Sequence, residues 1–273
     1  MSEIPIVQIN DDLKTISFNN QTFEIENEGP SVFQSFLESE GIYHATQFQN
    51  TYTLARTSPN YPNPAVFHYA LAKHLKEQGM DSEYFIDMGC GVGFLGNFAA
   101  KNSDSKNIIF SDINPQSLRD SANSFSINHQ DQQISRLNLG HILYLTTPQK
   151  RASFIPGNSK ETLKDLDLEG QIGVCAPYYL PGIIENWPES YELFSSVAKN
   201  TGLTLYIGHS HLSSDLIESA AKSNGLKLRD VKKTQTLFNS EYSNKESILE
   251  ESDLKMINGK PHHDIMVSKL SYK

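Results

Sequence analysis

The length, composition and charge of this chain exclude several classes of protein. Its 273 residues exceed the typical domain of about 150 residues, so we expect one large domain or a core with an appendage. The 23 Lys and Arg residues against 32 Asp and Glu residues leave a net charge of −9. This charge disfavours non-specific nucleic-acid binding, because a protein that binds nucleic acid mainly through its phosphates carries a basic surplus. Two cysteines cannot form a disulfide framework, no apolar run approaches the roughly 18 residues that span a bilayer, and the first residues do not resemble a signal peptide. We therefore expect a cytoplasmic protein without a membrane segment.

The first part of the chain, residues 1–58, is a candidate N-terminal appendage. Within it, residues 14–28 hold two β-rich runs on either side of Asn19 and Asn20, and Asn tolerates the positive φ of a tight turn, so a hairpin is predicted. The stretch 58–64 contains three prolines, which forbid both a helix and a central strand. We place the domain boundary there.

The larger domain, residues 59–273, shows the alternation of an α/β fold. Apolar residues at helical spacing before Gly79 predict a first helix, and from Tyr84 onward apolar runs alternate with helical patterns. Such alternation predicts a doubly wound α/β sheet of about seven strands, mostly parallel. The last two apolar runs have no helix between them, so we expect an antiparallel final pair. The polar segments 128–150 and 239–260 are predicted to be an insertion and a long loop.

The strongest motif is a glycine-rich turn between the first strand and the helix that follows it. Its residues are Asp87, Gly89, Cys90, Gly91 and Gly93. Glycines allow the backbone to approach a ligand closely, and the N-terminus of the next helix offers free N–H groups to a negative group. The turn therefore predicts a nucleotide-type cofactor site.

Two cofactors fit this turn. Gly91, Gly93 and Gly96 satisfy the dinucleotide fingerprint G-x-G-x-x-G, and Asp112 follows about 20 residues later, as in NAD(P)-dependent oxidoreductases. However, the first glycine of that fingerprint should follow the strand directly, and here Asp87 and three further residues intervene. With Asp87 as the last strand residue, the pattern D-x-G-x-G-x-G resembles class I S-adenosylmethionine-dependent methyltransferases, from about residue 60 to the end. The resemblance implies S-adenosylmethionine as the cofactor.

The same resemblance assigns residues after the second and third strands to the cofactor. Asp112 can accept two hydrogen bonds from a ribose diol, and its neighbour Ile113 lies beside it. Asn114 and the helix after it resemble the corresponding motif of the methyltransferase subgroup, called the small-domain group, that includes protein-glutamine and ribosomal-RNA guanine N-methyltransferases. Asn158 offers a side-chain carbonyl to the adenine amino group. The alternatives are a helix N-cap at Asp112 and an ordinary turn at Gly157 and Asn158.

The fourth strand ends in Cys175, Ala176, Pro177 and Tyr178. This run resembles the Asn-Pro-Pro-Tyr loop of methyltransferases that modify planar nitrogen targets, which assigns all four residues to catalysis and Cys175 also to the cofactor. A thiol is a weak acceptor and cannot reproduce the hydrogen bond of the Asn, so the Ala176 carbonyl and the Tyr178 ring remain for the acceptor. A proline turn with a packing tyrosine is the alternative.

Other polar and aromatic residues are weaker candidates. His209 and His211 follow the fifth strand, and either one could serve as a base. Together with His262 and His263 they match no established ligand set, so we expect no metal. Tyr191 is expected to pack in the core rather than to line the acceptor pocket.

The functional hypothesis is methyl transfer from S-adenosylmethionine to a planar nitrogen acceptor. The net charge of −9 favours a small molecule, an amino acid derivative or a protein as the acceptor, with RNA as an alternative. Two further alternatives are an inert protein that binds the cofactor without transfer, which Cys175 in place of Asn favours, and an NAD(P)-dependent oxidoreductase. No motif identifies the acceptor.

Overall fold

The structure of the chain is a computed structural model. It describes residues 6–9, 15–18, 21–24, 36–43, 65–164, 166–176, 187–210, 214–237, 246–250, 254–257 and 260–271. The strands are β1 (Ile6–Ile9), β2 (Thr15–Phe18), β3 (Gln21–Glu24), β4 (Tyr84–Met88), β5 (Asn107–Asp112), β6 (Ser135–Leu139), β7 (Ile142–Thr146), β8 (Arg151–Pro156), β9 (Ile172–Cys175), β10 (Thr204–Ser210), β11 (Lys227–Leu237), β12 (Glu246–Glu250), β13 (Leu254–Ile257) and β14 (Lys260–Ser271). The helices are α1 (Ala65–Gln78), α2 (Phe94–Asn102), α3 (Pro115–Asn128), α4 (Ser159–Thr162), α5 (Trp187–Thr201) and α6 (Ser214–Ser223).

A ten-stranded mixed sheet forms the centre of the described residues from 65 to 271. Its order is β11-β14-β10-β9-β4-β5-β8-β7-β6, and β13 pairs with β14 beside this path. The five adjacent strands β8, β5, β4, β9 and β10 are parallel, and antiparallel strands flank them on both sides. This confirms the doubly wound α/β fold and the antiparallel pairing of β11 with β14. The chain reverses its direction of winding between β4 and β9, and ligands of such sheets bind at the carboxyl ends of the strands at this switch point.

Helices cover both faces of this sheet, and each face has its own apolar core. Alternate residues of a strand face opposite sides, so Phe85 belongs to one cluster and Ile86 to the other. Side chains of α1, α2 and α3 complete the first cluster, and side chains of α5 and α6 complete the second. Burial on both faces explains why the central strands are continuous apolar runs.

The segments predicted to be an insertion and a long loop both contain strands. Residues 128–150 include β6 and β7, which form an antiparallel hairpin beside β8 and extend the sheet beyond the seven expected strands. Residues 239–260 include β12, which pairs with β1, and β13, which pairs with β14, so the prediction of a long loop was wrong. Strands β6, β7 and β13 each pair with a strand that is adjacent in the chain, whereas β12 pairs with β1 near the other end of the sequence.

The N-terminal strands form a separate four-stranded sheet in the order β12-β1-β2-β3. The antiparallel pairing of β2 with β3 confirms the predicted hairpin. Strand β12 comes from the C-terminal third of the chain, so this sheet is not built from residues 1–58 alone. The predicted boundary near residue 58 lies outside the described residues.

Residues 36–43 pack directly against the larger domain. Leu37 and Ile42 are buried in the first core cluster. The Asn128 side chain at the end of α3 accepts a hydrogen bond from Tyr43 N at 2.7 Å and donates one to Tyr43 O at 2.9 Å. Part of the predicted appendage is therefore fixed to α1, α2 and α3. None of the helices in the described ranges has the length and apolar character that a bilayer crossing requires.

Candidate cofactor and acceptor site

The glycine-rich turn between β4 and α2 faces open space on one side. Gly89, Gly91 and Gly93 have φ values of 63°, 53° and 79°, in the left-handed region that favours glycine. A Cβ added at Gly89 or Gly91 would meet no atom within 4 Å, whereas at Gly93 it would lie 2.7 Å from Ser121 Oγ. Gly89 and Gly91 therefore border a space in which a ligand fits, and Gly93 is held by packing against α3.

Contacts with β5 and α3 fix the turn. Cys90 N donates to Ser111 O at 3.1 Å, and Ser121 Oγ donates to Gly91 O at 2.9 Å. The Cys90 side chain is buried, and its Sγ lies 3.7 Å from Ser121 Oγ. Burial, together with the charges of Asp87 and Asp112, raises the pKa of the Cys90 thiol. The thiol therefore stays protonated, and the Cys90 carbonyl is bonded as well, because Gly93 N donates to Cys90 O at 2.8 Å.

Asp87 is a buried carboxyl group at the start of the turn. Its Oδ2 accepts a hydrogen bond from Gly96 N, in the first turn of α2, at 2.8 Å. Burial raises the pKa of Asp87 to about 7; the Gly96 amide opposes this shift and the charge of Asp112 adds to it. The Asp87 carboxyl therefore titrates near neutral pH, and a cationic ligand beside it would favour the ionised form.

Asp112, at the end of β5, holds the turn from the other side. Its Oδ2 accepts from Gly91 N at 2.8 Å, and its Oδ1 accepts from Asn114 N at 2.8 Å. The helix N-cap of α3 is Asn114, whose side chain accepts from Gln116 N, so the alternative role of Asp112 as that cap is wrong. Ile113 is 78% exposed beside this carboxylate. An acceptor and an apolar surface thus lie next to each other at the strand end.

The turn after β8 lies against Asp112 through its backbone. Gly157 N donates to Asp112 O at 2.9 Å. Asn158 is the N-cap of α4, and its Oδ1 accepts a hydrogen bond from Lys160 N at 2.9 Å. Asn158 therefore has the local capping role that the alternative of an ordinary turn predicts. A carbonyl oxygen has two lone pairs, and one of them remains for a further donor. Asn158 also lines a cleft of about 750 Å³ between α4 and α5.

The end of β9 lies close to the acidic turn. Cys175 and Ala176 are both buried, and Cys175 belongs to the second core cluster. Burial and the nearby charge of Asp87 raise the pKa of the Cys175 thiol, which therefore stays protonated. Pro177 and Tyr178 lie outside the described residues. The ends of β4 and β9 thus bring Asp87 near the start of the predicted acceptor loop.

A comparison with protein families gives a match to the centre of the chain. Residues 68–143, which include α1, the glycine turn, Asp112 and α3, match the family model described as the methyltransferase small domain. The chain carries a class I S-adenosylmethionine-dependent methyltransferase domain. The methyltransferase uses S-adenosylmethionine as its cofactor.

Solved structures with similarity to this methyltransferase come from bacteria and archaea. The precorrin-6y C5,15-methyltransferase of Geobacter metallireducens is 10% identical over 76% of this chain and 87% of its own, with a TM-score of 0.47. The ribosomal protein L11 methylase of Lactobacillus delbrueckii subsp. bulgaricus is 13% identical over 76% and 80%, with a TM-score of 0.44. TYW2 of M. jannaschii, solved in complex with AdoMet, is 13% identical over 76% and 77%, with a TM-score of 0.42. No curated protein sequence matches the chain.

The hydrogen bonds of the turn fit this cofactor and oppose a dinucleotide. A pyrophosphate needs free amides at the N-terminus of the helix, but Gly91 N is bonded to Asp112 and Gly96 N to Asp87. Two carboxyl groups here would repel a pyrophosphate, whereas they favour the ammonium and sulfonium groups of S-adenosylmethionine. Gly96 also has a packing role in the methyltransferase, because a Cβ there would lie 2.2 Å from the Phe110 ring.

His209, near the end of β10 in the methyltransferase, is hydrogen-bonded to the neighbouring strand β14. His209 is buried, and its Nε2 lies 2.7 Å from Ser268 Oγ on β14, so it is held within the sheet. Tyr191 is buried in the second core cluster, which confirms the prediction of core packing. His211 lies outside the described residues. Within the described ranges, no group of three or more His, Cys, Asp or Glu side chains could hold a metal ion.

Polar side chains that support the turn were not predicted from the sequence. Asn97 is fully buried in α2, and its Nδ2 donates to Gly93 O at 2.8 Å. Ser121 holds Gly91 O, and Ser111 Oγ lies 3.1 Å from Ser159 Oγ between β5 and α4. An Asn between Gly96 and Phe98, within the apolar first part of α2, was the available signal, because buried polar side chains require hydrogen-bond partners.

Proposed function

We propose that this methyltransferase N-methylates a planar nitrogen acceptor, carried by a small molecule, an amino acid derivative or a protein. The observation that carries the proposal is the acidic turn of Asp87 and Asp112, which lies beside the strand end of Cys175 and Ala176. The predicted acceptor loop follows β9 and the glycine turn follows β4, and these two strands are parallel neighbours in the sheet. A cofactor and an acceptor can therefore meet at the switch point of the sheet.

The chain contributes residues that hold the cofactor. Bound S-adenosylmethionine would supply a methyl group already activated on a sulfonium. The ionised Asp87 carboxylate would face the cationic methionine end, and Gly89 and Gly91 leave room for the methionine chain. Asp112 would accept the ribose hydroxyls through its remaining lone pairs, with Ile113 as an apolar surface beside it. Asn158 would accept the adenine amino group.

Acceptor binding requires orientation more than acid–base catalysis. A neutral planar amine needs its lone pair directed at the methyl group, and positioning of this kind supplies most of the rate. We assign the Ala176 carbonyl to an N–H of the acceptor and the Tyr178 ring to its flat face. The protonated Cys175 thiol leaves the Ala176 carbonyl as the stronger acceptor at this strand end.

A catalytically inert cofactor-binding protein is the second candidate. It is favoured by Cys175 at the position where the resembling loop has Asn, since the buried thiol lacks the acceptor strength of an amide. RNA as the acceptor is the remaining alternative for an active enzyme. Both cysteines are free, and we assign the protein to the reducing cytoplasm on that basis.

Calorimetric titration with S-adenosylhomocysteine, NADH and NADPH tests the cofactor assignment. We expect micromolar binding of S-adenosylhomocysteine and none of the nicotinamide cofactors. Radiolabelled methyl transfer to fractionated small molecules, proteins and RNA then tests the acceptor, and label on a small molecule or protein supports the proposal. Cofactor binding without transfer to any fraction would favour the inert protein, and binding of NADH alone would reject the assignment.

A further inference from the structure

Strand β6 is an exposed edge of the ten-stranded sheet. All five of its residues are exposed, and β6 is the last strand in the sheet order of the described residues. An edge strand presents a row of N–H and C=O groups to which another chain can pair, and proteins usually protect such edges with charge, Pro or cover. Here Leu137 and Leu139 occupy the edge, and each is 54% exposed. The edge is therefore suited to pairing with another chain.

The two leucines belong to an apolar strip. Directly opposed residues of antiparallel strands share one face, and Leu137 opposes Tyr144 while Leu139 opposes Ile142. The guanidinium carbon of Arg151 lies 4.5 Å from the centre of the Tyr144 ring, which adds a positive charge beside the strip. A partner strand on this edge would thus meet apolar side chains on one face.

The surroundings of the strip are positively charged in an otherwise acidic protein. Residues 132–160 contain no Asp or Glu, although the whole chain has a net charge of −9. Arg136 and Arg151 are exposed there, whereas the Lys150 Nζ is bonded to Ser105 O at 2.7 Å. Arg136 alternates with the two leucines and so lies on the opposite face of β6. A complementary strand would alternate apolar and acidic residues.

We propose that β6 is a docking strand for an extended acidic segment of a partner protein, added to the sheet as an edge strand. Main-chain hydrogen bonds would give affinity, and alternating apolar and acidic side chains would give specificity. Antiparallel pairing of two β6 strands centred on Leu137 would instead place the two Arg136 side chains diagonally on one face, where like charges repel, between two chains of net negative charge. Single-stranded RNA needs a row of aromatic stacking platforms, and Tyr144 is the one aromatic residue among the four strip residues named above, with Arg151 already over its ring.

The orientation of β6 connects this edge with the reaction site. Strands β6 and β8 are both antiparallel to β7 and therefore run in the same direction. The carboxyl end of β6 at Leu139 thus lies on the same side of the sheet as Pro156, which pairs with Asp112. Five strand spacings separate β6 from β9, where the predicted acceptor loop begins, which is about 24 Å, or roughly seven residues of extended chain. Resting on the proposed function with a protein acceptor, the residue to be methylated lies about seven residues from the docked segment.

Fluorescence anisotropy with a labelled eight-residue peptide of alternating Glu and Leu tests the docking strand. The full-length protein is compared with Leu137→Asp and Arg136→Glu, and Leu166→Asp and Arg119→Glu serve as matched exposed controls. We expect each β6 variant to lose about tenfold or more in peptide affinity and both controls to bind normally. A Lys-Leu peptide should not bind.

Affinity for S-adenosylhomocysteine is measured in parallel, so that a failure of the cofactor assignment is distinguished from a failure of the docking strand. We expect this affinity to be unchanged in all four variants. Equal binding of the Lys-Leu peptide, or normal Glu-Leu binding by Leu137→Asp, would overturn the proposal. So would a dimer in light scattering that Leu137→Asp dissociates, or competition of the Glu-Leu peptide by a single-stranded RNA oligomer.

Discussion

Asp112→Ala is expected to weaken cofactor binding far more than it destabilises the fold. The Asp112 carboxylate accepts two backbone hydrogen bonds, from Gly91 N and from Asn114 N, and remains half-buried with lone pairs to spare. A hydrogen bond to a charged group contributes about 1.5–3 kcal/mol. Loss of the bonds to the ribose should therefore raise the Kd for S-adenosylhomocysteine by roughly 10-fold to 150-fold, because about 1.4 kcal/mol corresponds to a factor of ten.

The change in stability should be smaller, since water reaches the half-exposed Gly91 amide once the carboxylate is gone. A loss of about 1 kcal/mol corresponds to a decrease in Tm of roughly 2–4 °C for a chain of this size. Asp112→Asn keeps one oxygen acceptor and loses the charge, so its Kd should lie between those of the wild type and Asp112→Ala.

Isothermal titration calorimetry of the variants, with thermal unfolding in parallel, measures both effects. Asp131→Ala changes an exposed carboxylate beyond α3 and is the matched control, with wild-type affinity expected. A Kd within twofold of the wild type for Asp112→Ala would refute the assignment of Asp112 to the cofactor. An equal weakening by Asp131→Ala would show that net charge, rather than the site, determines binding.

Three further variants test the turn and the acceptor loop. The pKa of Asp87 is raised to about 7 from a usual value near 4, so between these pH values the folded state binds more protons than the unfolded state, and stability falls as pH rises from about 4 to 7. Asp87→Asn should remove this fall, as measured by urea titrations at pH 5 and pH 8. An unchanged pH dependence would contradict the burial of this carboxyl. Gly93→Ala should destabilise the fold by about 1–3 kcal/mol, because φ is 79° and the new Cβ would lie 2.7 Å from Ser121 Oγ; thermal unfolding equal to the wild type would contradict this packing. Tyr178→Ala should lower turnover with the cofactor Kd little changed, as measured by methyl transfer and calorimetry, and an equal loss of cofactor affinity would move Tyr178 to the cofactor side.

The residues around the glycine turn show how much of the site local sequence can predict. A strand period ending in Asp87, three alternating glycines and a helical period after them are local patterns, and they predicted the turn and a nucleotide-type cofactor, whereas the resemblance to class I methyltransferases implied S-adenosylmethionine. The bonds from Gly96 N to Asp87 and from Gly91 N to Asp112 were not predictable in the same way, because they depend on how α2 and β5 pack against the turn. The same holds for Asn97, whose partner is a backbone carbonyl revealed only by the fold.

By itself, the sequence determined the types and order of the central strands and helices and the motif at the first strand end, because side-chain periodicity and the φ preference of glycine act over a few residues. Only the tertiary structure decided which strands pair across long distances. Ile6 lies opposite Glu250, and Phe85 lies opposite Ile172, although nothing in either local sequence identifies its partner. Strand pairing at a sheet margin is decided by hydrogen bonds to a partner elsewhere in the chain, and a local pattern does not contain that partner.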